Sequence, residues 1–170
     1  MRAPLLLLAL LAAPALAQTE AWELIETDTG CSTRMIYDDQ GMVMIFFGRE
    51  RRQMSFYVSH PDMTAGDEAD APATVGFDEI EPWTLPMEGY EVDGFPGAIV
   101  SRAMDETMEL FLEEATGASR LEVTFDDQED RPFVFDVTGA GPGIEEARAC
   151  FEKGASPDGA APRASATRGG

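Results

Sequence analysis

MVMIFFGRERRQMSFYVS, residues 42–59, reads as two strands and the turn that joins them. Met42 to Phe47 is an unbroken apolar run, the pattern of a central strand covered on both faces. Gly48 to Gln53 interrupts it with Arg49, Arg51 and Arg52. Beyond that turn Met54, Phe56 and Val58 alternate with Ser55, Tyr57 and Ser59, as in a half-buried strand returning antiparallel to the first. A hairpin of this kind makes an antiparallel sheet the organising element.

The flanking segments extend it. Trp22 to Thr27 reads as a strand, Asp28-Thr29-Gly30 as a turn, and Cys31 to Tyr37 as a second strand with Cys31, Thr33, Met35 and Tyr37 on one face and Ser32 and Arg34 on the other. Asp38-Asp39-Gln40-Gly41 is turn chemistry leading into Met42. On the other side, Pro61 to Ala73 is acidic and aperiodic and is expected to be an exposed loop. Val75 to Ile80 and Ala98 to Val100 read as further strands, separated by a Pro82 to Pro96 stretch whose prolines and glycines predict irregular structure.

Met104, Met108, Phe111, Leu112 and Ala115 recur at helical spacing behind an Asp105 cap, with Gly117 just past the end. Leu121, Val123 and Phe125, then Phe133, Phe135 and Val137, form a hairpin around a charged turn. A second helix is expected from Pro142 to just before Gly154, with Ile144, Ala147 and Phe151 as its apolar stripe and Cys150 beside it. The sum is an α+β fold: a mostly antiparallel sheet of about six to eight strands with two amphipathic helices near the C-terminal half, closed by one disulfide. Residues 154–170 are Ala, Gly, Ser, Pro and Arg and are expected to be a disordered tail.

Met1 to Ala17 has the grammar of a secretory signal peptide: Arg2, an apolar run from Leu5 to Ala13, Pro14, and the small-x-small site Ala15-Leu16-Ala17. Cleavage after Ala17 would leave residues 18–153 as a single domain, periplasmic or secreted, with no membrane insertion. Cys31 and Cys150, the two cysteines of the chain, are then expected to pair in an oxidising compartment. The loop so closed is about 120 residues, worth roughly 5 kcal/mol in the chain-entropy treatment. Redox chemistry of the Cys-x-x-Cys kind needs closer spacing.

The net charge of the whole chain is −20, from 32 acidic residues against 12 Lys and Arg. That balance repels nucleic-acid phosphates and anionic lipid, so no nucleic-acid partner is expected, and it attracts basic proteins and divalent cations. It also keeps an exported protein soluble.

Candidate sites are sparse. His60 is the single histidine, and no nucleophile motif accompanies it. Gly139-Ala140-Gly141-Pro142-Gly143 resembles a phosphate cradle, yet Pro142 removes an amide and no Lys-Ser/Thr follows, so it reads as a tight strand-to-helix turn. Asp126, Asp127, Glu129 and Asp130, and also Asp62, Asp67, Glu68 and Asp70, raise the question of calcium without the glycine and terminal glutamate of a calcium loop. Met42, Met44, Met54, His60 and Met63 raise that of Cu(I), although alternating strand methionines ordinarily fill a core. Arg49, Arg51 and Arg52 are the one local concentration of positive charge and the candidate partner-binding site, where guanidinium forks would take a carboxylate or phosphate. No catalytic residue, metal site or cofactor is assigned.

The leader, the Trp22 strand, Cys31 in an early strand, the helix carrying Phe111-Leu112, the Leu121 to Val137 hairpin and a last helix bearing Cys150 together resemble small two-cysteine exported proteins of unknown function from alphaproteobacteria. The resemblance implies a disulfide-closed periplasmic domain and carries over no catalytic residue. The function expected is that of a non-enzymatic binding or accessory protein whose acidic surface engages a basic exported protein, such as a lysozyme. The alternatives are a carboxylate-dependent hydrolase and a periplasmic calcium or copper carrier.

Overall fold

The computed structural model describes residues 21–63, 71–126 and 131–155. The leader, residues 156–170 of the tail, and the acidic residues Asp67, Glu68, Asp70, Asp127, Glu129 and Asp130 lie outside them.

Nine strands and two helices follow in the order β1 (Glu23–Glu26), β2 (Gly30–Ile36), β3 (Met42–Gly48), β4 (Gln53–Ser59), β5 (Ala71–Phe77), β6 (Trp83–Val92), β7 (Phe95–Ala103), α1 (Glu106–Gly117), β8 (Arg120–Phe125), β9 (Phe133–Asp136) and α2 (Ala140–Ala155). All strand pairs are antiparallel, in the order β1-β2-β3-β4-β7-β6-β5-β8-β9. The α+β class, the two C-terminal-half helices and the Cys31–Cys150 disulfide are as the sequence leads one to expect.

The β3–β4 hairpin pairs in the register its pattern requires, Ile45 opposite Phe56 and Phe47 opposite Met54. Val43, Ile45, Phe47, Met54, Phe56 and Val58 all enter the main core. α1 anchors there through Phe111, fully buried, whose ring meets those of Phe56, Phe77 and Trp83 at 5.3, 5.1 and 5.8 Å. Its N-cap is Asp105, which accepts from the Met108 amide at 3.0 Å. α2 lays Ile144, Ala147 and Phe151 on β1, β2 and β3.

The sheet curls so far that its last strand meets the β2–β3 turn. Tyr37 Oη donates to the Asp136 carbonyl at 2.8 Å, and the Tyr37 and Phe135 rings lie 5.5 Å apart. On the outer face Met42, Met44 and Tyr57 form a second, small cluster with Val92, Phe95 and Ile99. Tyr57 Oη donates to the Phe95 carbonyl, and burial pushes its phenol above the ordinary tyrosine range. Arg34 clamps the tip of the β6–β7 hairpin over this cluster, Nη1 standing 2.6 Å from Asp93 Oδ2.

Four local expectations need correction. Pro82 to Pro96 is not irregular but forms most of the β6–β7 hairpin, and β6 pairs with β5 through its first half and with β7 through its second. Pro72 and Pro86 face one another across β5 and β6, both exposed. Gly97 is needed for close approach, since a Cβ there would stand 2.2 Å from the Val58 carbonyl oxygen. The strand placed at Val75 to Ile80 runs instead from Ala71 to Phe77, shortening the expected Pro61 to Ala73 loop. α2 begins at Ala140, two residues before Pro142, which still sits in the first turn where its missing N–H costs nothing. The helix continues to Ala155, so Gly154 belongs to it rather than to the tail.

Candidate functional site: the groove between the two helices

The sequence points first to the arginine turn, and folding divides its three members. Arg49 is turned inward. Its Nη1 donates to the Thr27 carbonyl at 2.8 Å, its Nη2 meets Glu26 Oε1 at 2.9 Å and Cys31 Sγ at 3.4 Å, and its side chain is 21% exposed. Arg52, held at φ 44°, lies over the Phe151 ring at 5.6 Å to the centroid. Arg52 nevertheless remains exposed, as does Arg51, which stands beside a shallow recess it shares with Thr29, Phe46 and Gln53. The three side chains therefore do not form one anion-gripping fork: Arg49 ties the β1–β2 turn to the disulfide.

The other singled-out residues have structural explanations. Each glycine of the strand-to-helix turn has its own. Gly139 takes a positive φ of 82°. Gly141 and Gly143 allow α2 to press closely, a Cβ at the first meeting the Thr116 carbonyl oxygen at 2.8 Å and one at the second meeting Thr33 Oγ1 at 2.5 Å. His60 accepts from the Asp62 amide at Nδ1, 3.1 Å, and places Nε2 3.4 Å from Asp39 Oδ2. Its ring stands 5.3 Å from that of Phe133, so it joins the β2–β3 turn to β9. Among the described residues neither of its nitrogens bonds a hydroxyl. The thioethers are separated by the sheet, Met42 and Met44 on the outer face and Met54 and Met63 in the main core. The one converging set of three potential metal ligands among the described residues is Glu26, Cys31 and Cys150, and both sulfurs are committed to the disulfide.

What the sequence reading passed over is the groove between α1 and α2. It encloses about 710 Å³ and is lined by Met104, Leu110, Leu112 and Ile144 on the apolar side, with Asp105, Glu106, Glu109, Glu113 and Glu145 along its rims. Leu112 and Ile144 are buried, Met104 is half-buried, and Leu110 is 48% exposed. Arg148 is the one cation of the lining, and α2 delivers it to α1: Nη1 and Nη2 each stand 2.8 Å from a different oxygen of Glu109. This fork neutralises Glu109 and joins the helices. Asp105 is partly engaged as the cap of α1. Glu106, Glu113 and Glu145 take part in no ion pair among the described residues.

Comparison with known proteins returns no matching family model, no matching curated protein and no matching solved structure. The chemistry of the site must therefore be argued from its own residues. A sequence signal for the groove does exist. Glu106, Glu109 and Glu113 fall three and four apart, on one helical face, and Leu110 sits among them, outside the buried stripe of Met108, Phe111, Leu112 and Ala115. An apolar side chain on the acidic face of an amphipathic helix is not explained by the core. Glu145 and Arg148, by contrast, join this face only through the packing of α2 on α1.

Among the described residues no helix is long and apolar enough to cross a membrane.

Proposed function

We propose that the protein is a non-enzymatic, exported binding or accessory protein, periplasmic or secreted, which receives a basic protein partner in the α1–α2 groove. The observation that carries this reading is the pairing of an apolar strip, Met104, Leu110, Leu112 and Ile144, with the rim carboxylates Glu106, Glu113 and Glu145, which take part in no ion pair among the described residues. A cationic amphipathic segment answers both halves: its apolar residues cover Leu110, and its Lys or Arg side chains meet Glu106, Glu113 and Glu145. The strongly negative net charge favours encounter with such a partner before contact is made. The disulfide supports an oxidising location, and the leader grammar of residues 1–17 agrees with it.

Titration with a synthetic amphipathic helix built of Leu and Lys tests the reading. Binding is expected to weaken steeply with salt and to fall at least tenfold in a Glu106→Lys, Glu113→Lys, Glu145→Lys variant. Charge reversal outside the groove lining, at the exposed Glu88 and Glu91 of β6, should change affinity far less. Equal losses from the two sets would mean that only diffuse charge is sensed, and the groove would lose its role.

A further inference from the structure

The disulfide is chemically lopsided. Cys31 is fully buried on β2, whereas Cys150 on α2 is half-buried. Arg49 Nη2 stands 3.4 Å from the sulfur of Cys31, and the guanidinium Nε, itself buried, has no acceptor among the described residues. A cation with unused donor capacity thus lies against one sulfur of the pair. In thiol–disulfide exchange the sulfur that departs must carry a negative charge, and the exchange is faster when that charge is stabilised. Cationic neighbours lower thiol pKa values for the same reason. The Glu26 carboxylate shares Arg49, but its side chain is 67% exposed and water weakens its opposing effect.

We propose that the Cys31–Cys150 bridge is a directional exchange site, at which the thiolate of an exported dithiol reductant attacks Cys150 and expels Cys31 as a thiolate held by Arg49. In the first step a bond forms between the reductant sulfur and Cys150 Sγ while the Cys150–Cys31 bond breaks, its electron pair leaving on Cys31. In the second step the other thiolate of the reductant attacks its own sulfur in the mixed disulfide and expels Cys150, which takes a proton from water. The reductant ends as a disulfide, oxidised by two electrons, and the bridge gains the same two. Sequence spacing hides such a site, because Arg49 and Glu26 reach the sulfurs only in the folded corner where β1, β2, β3 and the end of α2 meet. The inference is independent of what the groove binds.

Glutathione, a monothiol that stalls at the mixed disulfide, is the probe. The purified oxidised protein is exposed to it, quenched in acid, alkylated and mapped by peptide mass spectrometry. Glutathione is expected on Cys150 with the alkyl group on Cys31; glutathione on Cys31 would overturn the proposal. The mapping needs no substitution, so it stands even where a variant folds poorly. Rates give the second readout: Arg49→Met should slow reduction about tenfold, Arg49→Lys should recover part of the loss, and Glu26→Gln should speed it a few-fold. Were Arg49 only a structural clip, Arg49→Met would loosen the corner and reduction would be as fast or faster, which would also sink the idea.

Discussion

The arginine turn and the helix groove are both concentrations of one sign of charge, and folding treats them in opposite ways. At the turn, Arg49 is drawn onto Thr27, Glu26 and Cys31, and Arg52 lies over Phe151. In the groove, one carboxylate of five is neutralised by the Arg148 fork and another caps α1, while Glu106, Glu113 and Glu145 remain outside any ion pair among the described residues. Density of charge along the chain is therefore a poor guide to availability. What matters is the charge left over once the fold has satisfied its own hydrogen bonds.

If that contrast is right, changes at the turn and its disulfide should register in stability, and changes at the groove rims should register in binding. The largest effect belongs to the bridge. Replacing Cys31 and Cys150 together by Ser releases α2 from β2 across a separation of 119 residues. Equilibrium denaturation should show a loss of about 3–5 kcal/mol. A loss below about 1 kcal/mol would mean that packing alone holds that corner, as Phe151 against Phe47 at 6.0 Å would have to do.

The smaller effects separate the engaged groove charges from the free ones. Arg148→Met breaks a two-pronged contact between half-exposed side chains and should cost roughly 0.5–1 kcal/mol, since solvent screens much of the attraction. Glu106→Gln, Glu113→Gln and Glu145→Gln, combined, should leave thermal unfolding almost unmoved or shift it slightly upward by easing self-repulsion. The same triple change should weaken capture of the cationic amphipathic peptide. A stability loss from the triple variant as large as that from Arg148→Met would erase the distinction between the two classes of charge.

Much of the architecture was legible because its signals are local. The alternation of Met54, Phe56 and Val58, the Asp105 cap with its helical stripe, and the Leu121 to Val137 hairpin each contain their own explanation within a dozen residues. Cys31 and Cys150 could be paired by compartment and count alone. The β6–β7 hairpin was not legible, because its prolines and glycines are tolerated for reasons that lie elsewhere in the chain: Pro86 opposite Pro72, and Gly97 beneath the Val58 carbonyl and the Tyr57 hydroxyl. Tertiary contacts there override the propensities that made Pro82 to Pro96 read as irregular. The candidate site divides the same way. Leu110 among Glu106, Glu109 and Glu113 was visible in principle as a misplaced apolar residue, whereas Glu145 and Arg148 become neighbours of that face only when α2 docks.

The contrast can be sharpened once more with a carboxylate that the fold does use. Asp78, at φ 48° in the turn after β5, accepts from the Ser119 hydroxyl at 2.9 Å, from the Ser119 amide and from the Arg120 amide at 2.9 Å. The Ser119 hydroxyl and amide, with Arg120 adding to them, hold its carboxyl below the ordinary aspartate range despite its exposure. A group whose pKa is depressed by folding stabilises the native state above its unfolded value of 3.8, and that contribution disappears as pH falls through the folded value. Asp78→Ala should therefore lower the melting temperature at neutral pH. The gap from the unaltered protein should persist as pH falls to the unfolded value of 3.8 and close only as pH falls through the lower folded value, where the native carboxyl takes up its proton and its charge-assisted bonds are lost. A gap that stays constant through that range would show that Asp78 acts through the shape of its turn rather than through its charge. It would then fall outside the class of fold-engaged charges to which Arg49 belongs.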